Sequence, residues 1–208
     1  MSQSGYEVPA ETIRIENRVV NSRFIATVGP ARSVEEAKAF IAAVRAEMPD
    51  ATHHVYAFKI GYGSSVIEGM TDDGEPSGTA GPPVLAVLRG ADLGDVVIVV
   101  TRYFGGTKLG TGGLVRAYGN AAREALAALP RERRIPKATI GLEFPYTFFE
   151  QIQRLLTRYN AEVQEQSFGA AVTLFARLPV DDLPALAAEV SELTAGRVSP
   201  VRLDTDEA

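Results

Sequence analysis

The sequence predicts an α+β protein of two domains, the second with the element order β-α-β-β-α-β. Three observations carry that reading. The chain has 208 residues, more than the common single-domain size of about 100–150. Short apolar runs of strand character are interleaved along the chain with runs of helical period. Between Pro130 and Pro136 the apolar pattern breaks, with four charges between two prolines, which sets a boundary between domains at 1–130 and 137–208.

Thr12 to Glu16 alternates weakly and Arg23 to Val28 is a short β-prone run, which together read as a hairpin. Ser33 and Glu36 have the spacing of a capping box, and Ala37, Phe40, Ile41 and Val44 repeat on one helical face. Pro49 lies just past the end of that helix. His53 to Ile60 and Val66 to Thr71 read as strands joined at Gly61-Tyr62-Gly63. A polar loop, 72–81, leads to Pro82 and Pro83, residues suited to a first helical turn, and Gly90 stops that helix. Val96 to Thr101 is continuously apolar, as a buried strand is. After the loop Arg102 to Gly113, residues Leu114, Ala117, Tyr118, Ala121, Ala125, Leu126 and Leu129 mark a long amphipathic helix.

Beyond the boundary, Ala138 to Phe144 is a strand, and Phe148 to Tyr159 is a helix. Glu162 to Ser167 and Val172 to Leu178 pair as a hairpin around Gly169. Asp181 or Asp182 caps a helix that Gly196 ends, and Val198 to Leu203 is the last strand. That order is ferredoxin-like.

The chain contains no cysteine. Disulfides, thiol nucleophiles and thiolate zinc sites are therefore excluded. No apolar run approaches the roughly 20 residues that span a bilayer. Met1 to Ala10 has neither the basic flank nor the apolar stretch of a signal peptide, so a cytoplasmic protein without membrane contact is expected. The net charge is −5. A protein that coats polyanions would be basic, so contact with nucleic acid would need a local patch or backbone amides.

The densest candidate is the strand-to-helix loop Arg102-Tyr103-Phe104-Gly105-Gly106-Thr107-Lys108-Leu109-Gly110-Thr111-Gly112-Gly113. Glycines let successive N–H groups face one side, and a helix start adds unpaired N–H groups and a positive dipole end. Arg102, Lys108 and Arg116 supply charge, while Tyr103 and Phe104 supply faces for stacking. Such a loop can hold a phosphate or a nucleotide backbone. It lacks the spacing of a P-loop, and the acidic partner of a dinucleotide fingerprint is missing. The loop with Asp72, Asp73 and Glu75 also runs into a helix start. If its strand and the Val96 strand are parallel neighbours, both loops share one sheet edge. Those acids can cap the helix or hold a hard cation; capping is the expectation, with no metal and no cofactor. His53 and His54 are adjacent on a strand and point to opposite faces, which disfavours a two-histidine metal site.

The stretches Thr52-His53-His54-Val55-Tyr56-Ala57-Phe58, 72–81 and Arg102 to Gly113 resemble the three signatures of the IMPACT family, including its bacterial YigZ branch. Ser22-Arg23-Phe24-Ile25 resembles the family's first strand, and the second domain resembles the small C-terminal domain of the bacterial branch. The resemblance implies a first domain like elongation factor G domain IV, with a left-handed βαβ crossover where the general rule expects a right-handed one. Eukaryotic members regulate translation by competing for an activator of a stress-responsive initiation-factor kinase. The function this implies is a non-catalytic, translation-associated binding protein that contacts RNA or a ribosome-associated partner. Arg102, Lys108 and Arg116 would meet phosphates, the amides of Gly105, Gly106, Gly110, Gly112 and Gly113 would cradle one, and Tyr103 or Phe104 would stack. Two alternatives stand beside it: an enzyme acting on a phosphorylated small molecule, with a histidine moving a proton, and a protein-interaction module without nucleic acid.

Overall fold

A computed structural model describes residues 5–63 and 65–205. The chain forms two compact units, Tyr6–Arg134 and the residues from Ile135 onward. The first contains β1 (Tyr6–Pro9), β2 (Ile13–Val19), β3 (Ser22–Pro30), α1 (Val34–Glu47), β4 (His53–Tyr62), β5 (Ser65–Thr71), α2 (Gly81–Gly90), β6 (Val96–Tyr103), α3 (Gly110–Ala128) and β7 (Arg131–Arg134). The second contains β8 (Lys137–Phe144), α4 (Phe149–Arg158), β9 (Glu162–Phe168), β10 (Val172–Pro179), α5 (Leu183–Leu193) and β11 (Val201–Thr205).

The first unit is built on a five-stranded sheet in the order β2-β3-β6-β4-β5, every neighbouring pair antiparallel. Alternation within the strands splits the core in two. Phe24, Ala26, Val28, Val55, Ala57, Ile98 and Val100 face α2 and α3. Ile25, Phe58, Ile60, Val97 and Val99 face α1, which presents Ala37, Ile41 and Val44. Half of the capping box of α1 is present: Ser33 Oγ accepts from the Glu36 N–H at 3.1 Å, while a Glu36 carboxylate oxygen accepts at 2.8 Å from the N–H of Arg32, one residue before the N-cap.

Two βαβ crossovers follow from this order. α1 takes the chain from β3 to β4 across β6, and α2 takes it from β5 to β6 across β4. A half-turn about the sheet normal brings one path onto the other, yet the two helices lie on opposite faces. The crossovers are therefore of opposite hand, and one of them is left-handed, against the general preference.

Three local expectations change. β5 and β6 are not neighbours, because β4 lies between them; they still run the same way, so the loops after them emerge at one sheet edge. α3 begins at Gly110, which shortens the loop to 104–109 and places Gly112 and Gly113 in the helix. The 130–136 segment, read from sequence as a break, holds β7, which pairs antiparallel with β1. Four consecutive charged residues hide this strand because its side chains are largely exposed. Asp95 closes the ribbon, accepting from Tyr6 Oη at 2.6 Å and from Arg134 at 2.9 Å. Burial and the Asp95 carboxylate push the Tyr6 hydroxyl up to about 12.

The second unit's antiparallel sheet has the order β11-β8-β10-β9, the ferredoxin-like arrangement. α4 and α5 bury Ile152, Leu156, Leu186 and Val190 against Ile140, Leu142, Leu174 and Leu178. Asp182 stands at the start of α5 but makes no side-chain cap, and a short 3-10 turn, Val180–Asp182, precedes that helix instead.

Candidate functional site

At the edge where β5 and β6 end and β4 begins, a cleft of about 410 Å³ opens. His53, Glu75, Arg102, Phe104, Lys108 and Gly110 line it, together with Leu109 and Thr111. All three stretches singled out in the sequence therefore meet in one place. The join of β4 and β6, with His53 opposite Arg102, sets the floor.

Arg102 anchors the cleft. Its guanidinium donates to Glu75 Oε1 at 2.6 Å and to Ser22 Oγ at 3.2 Å. It also lies 5.4 Å from the ring centroids of both Phe24 and Phe104. Its Nε is buried and has no hydrogen-bond partner. Glu75 Oε1 accepts a further bond from the Tyr118 hydroxyl at 2.7 Å. Burial raises the pKa of that hydroxyl far above its usual range, and the Glu75 carboxylate adds to the effect. Arg102, expected from sequence to meet a phosphate, is engaged in an internal ion pair with Glu75 while still lining the cleft. Glu75, expected to cap the loop, is its counter-ion.

Asp72 does the capping. Its carboxylate accepts N–H bonds from Gly78, Ala80 and Gly81 at 2.8–2.9 Å, closing the loop onto the start of α2. Burial would raise its pKa, but the Gly78, Gly81 and Ala80 donors outweigh that and hold it below the usual carboxylate range. Asp73 accepts from the His54 N–H at 2.6 Å and from Arg45 at 2.5 Å. Among the described residues no cluster of three metal-ligating side chains forms.

Replacing Asp72 by Asn removes a charge-assisted cap and is expected to cost the first unit about 1–2 kcal/mol at neutral pH. A carboxylate held low in the folded state stabilises it above the unfolded pKa. That contribution disappears as pH falls through the folded value. The gap between parent and variant, measured by hydrogen exchange in α2, should therefore close in acid; a gap independent of pH would contradict this role.

The two histidines part company. His53 is partly exposed and lines the cleft, with Nδ1 2.8 Å from the Asp73 carbonyl oxygen. That contact places the ring hydrogen on Nδ1 in the neutral form, leaving Nε2 basic, 3.8 Å from Glu75 Oε1. His54 is buried, its Nδ1 3.1 Å from Thr101 Oγ1. Burial lowers its pKa, and Arg45 lowers it further. His54 is therefore a core residue and not part of the surface.

The aromatic pair also divides. Tyr103 turns toward the α1 side, donating to Asp50 at 2.9 Å beneath the Arg23 guanidinium. Phe104 stays exposed in the cleft. Gly105 packs where a Cβ would stand 2.0 Å from the Asn21 carbonyl oxygen. Gly110 enters α3 with φ +70°, which favours glycine. No side chain caps α3, and its first turn contains no acid, so its N–H groups and dipole end are available beside Lys108. Gly112 and Gly113 are helical and lie outside the cleft lining, and Arg116 belongs to a different surface, the groove between α2 and α3.

Sequence reasoning names Ser22, Thr52 and Tyr118 but gives none of them a role at the site. Ser22 Oγ and Thr52 Oγ1 accept from the Gly105 and Phe104 N–H groups at 3.3 and 3.1 Å, which tie down the loop. Tyr118 reads as core on the apolar face of its helix. The signal is its hydroxyl, which needs a partner once buried.

The family model described as Impact N-terminal domain matches residues 20–126, and a domain of unknown function (DUF1949) matches 142–197. An "IMPACT family member" of Haemophilus influenzae is 37% identical over 93% of this chain and 94% of its own length. "IMPACT family member YigZ" of Escherichia coli is 36% identical over 95% and 97%, and an "IMPACT family member in pol 5'region" of Thermus thermophilus 41% over 86% and 97%. A crystal structure described as that of a hypothetical protein superimposes with a TM-score of 0.71 at 36% identity, covering 96% of this chain and 98% of that one. Among the described residues no helix is long and apolar enough to cross a membrane.

Proposed function

The chain belongs to the IMPACT family, and from that premise and the cleft's geometry we propose that it is a translation-associated binding protein that takes single-stranded RNA at this cleft. The observation that carries the reading is the uncapped start of α3 beside Lys108, opening into a cleft that also exposes the Phe104 ring. A phosphate meets the N–H groups of Gly110 and Thr111 at the start of α3 and the Lys108 ammonium. A base stacks on Phe104, whose other neighbour is the Arg102 guanidinium. Arg102 acts indirectly, by holding Phe104 and Glu75 in place. The acidic balance of the chain makes binding local, since no diffuse basic field supports it.

The test is binding of a labelled oligouridylate across a salt series. Lys108→Ala is expected to weaken binding about fivefold or more near 0.1 M salt and to reduce the logarithmic salt slope by about 0.7–1. Phe104→Ala is expected to weaken it by about 1–3 kcal/mol with the salt slope unchanged. If both variants bind as the parent does, the reading fails and a protein-interaction role without nucleic acid takes its place. His53 favours one second reading, an enzyme acting on a phosphorylated small molecule. Its fixed tautomer leaves a basic Nε2 at the cleft. Turnover of a phosphorylated substrate that His53→Gln abolishes would select that reading.

A further inference from the structure

α2 and α3 pack side by side on the sheet, and their outer sides enclose a groove of about 640 Å³. Pro83, Val87 and Gly90 form one wall, at i, i+4 and i+7 along α2; Arg116, Gly119 and Arg123 form the other, at i, i+3 and i+7 along α3. Arg131 stands at one end, and Val115, 41% exposed, lies along the α3 wall. No carboxylate lines the groove, although the chain as a whole carries a net charge of −5.

Gly119 adds an independent observation. It sits inside a 19-residue helix, where glycine is disfavoured relative to alanine. A Cβ there would meet only the guanidinium end of Arg123, at 3.5 Å or more. Packing within the fold therefore leaves room for a side chain here, although Gly119 is buried beneath the Arg123 guanidinium. Gly90 likewise has open space where its Cβ would stand.

We propose that this groove docks an acidic amphipathic helix of a protein partner. Two parallel stripes of helical spacing make a trough that a third helix fills with an apolar i, i+3/i+4, i+7 face. Arg116 and Arg123 are seven residues apart, about 10 Å along the helix. They meet carboxylates spaced by two turns on the incoming helix, and charge complementarity fixes its register. Nucleic acid is the poorer fit. The floor is apolar and no aromatic ring lines it, so bases would find nothing to stack on. This surface is separate from the RNA cleft.

The experiment places a photoreactive benzophenone side chain in place of Val115 in the full chain and crosslinks in cells, with the attached peptide sequenced by mass spectrometry. The expected product is a peptide of helix-forming composition, net acidic, with apolar residues at i, i+3/i+4 and i+7. Its yield should fall at least tenfold in Arg116→Glu/Arg123→Glu, and equally in Gly119→Leu, which fills the trough without changing charge. Both variants should melt like the parent and still bind oligouridylate, so that loss of docking is distinct from loss of the RNA reading. Should Gly119→Leu fail to fold, the surface charge reversal decides alone. Crosslinks to RNA, to peptides without that pattern, or to nothing above background would overturn the proposal, as would full yield in the charge-reversed variant.

Discussion

Glu75→Ala is expected to destabilise the first unit by about 3–5 kcal/mol, because it strands a buried cation. Arg102 is only 4% exposed and its Nε already lacks a partner. Removing Glu75 takes away the anion 2.6 Å from its guanidinium and the acceptor of the Tyr118 hydroxyl. A folded unit holds only about 5–15 kcal/mol in total, so the loss is a large fraction of what keeps it folded. The double replacement Glu75→Gln/Arg102→Met removes both charges at similar volume and should cost clearly less than Glu75→Ala. Hydrogen exchange of the β4 and β6 amides reads the effect in that unit alone. A loss below about 1 kcal/mol in Glu75→Ala would mean that solvent reaches the pair and that its burial is not what matters.

Gly105→Ala is the second large effect. The new Cβ would stand 2.0 Å from the Asn21 carbonyl oxygen and 2.1 Å from its carbon, and backbone cannot swing aside as a side chain can. Overpacking typically costs about 1–3 kcal/mol, and this case falls at or above the upper end. The displaced loop also breaks the Gly105 N–H bond to Ser22 Oγ and shifts Phe104 in the cleft, so oligouridylate binding should fall along with stability. Gly112→Ala is the matched control. Nothing lies within 4 Å of its Cβ position, and a helical alanine gains about 0.8–1 kcal/mol over glycine. If the two variants behave alike in melting and in binding, close approach at Gly105 is not the constraint.

The contrast between these glycines shows how much of the molecule is legible in the sequence. Most elements are readable because their apolar residues keep a strand or helix period, as in Val96 to Thr101 and in the stripe from Leu114 to Leu129. The meeting of the 72–81 loop with the loop that follows Arg102 is anticipated as loops at a common edge, although the strands before them are not the neighbours expected, and the arrival of His53 beside Arg102 is not anticipated. What the sequence hides is which side chains are spent on each other. An arginine beside a glycine-rich loop reads as a phosphate ligand until its carboxylate partner, 27 residues away, is seen bonded to it. Five glycines in one loop look alike in sequence, yet Gly105 answers to the Asn21 backbone, Gly110 to a left-handed turn, and Gly112 to neither. β7 is hidden for a different reason: its side chains are largely exposed, and an exposed strand needs no apolar alternation.

The place of β6 in the sheet has a consequence for assembly order. β2–β3 and β4–β5 are each local hairpins that can form as soon as their residues exist, on the microsecond scale of such units. They do not touch one another in the sheet. β6, later in the chain, is the strand inserted between them, bonded to β3 on one side and β4 on the other. During synthesis the two hairpins must therefore wait, each with an open edge, until residue 103 has left the ribosome. At about 5–20 residues per second, that wait lasts seconds. The α1 crossover spans the place of β6, a strand that has not yet been made. Loop closure must precede the contacts that reward it, which makes this a slow-folding topology for its size. The continuously apolar run of β6 is the segment on which both halves of the core depend, and it is the last strand of the five to appear.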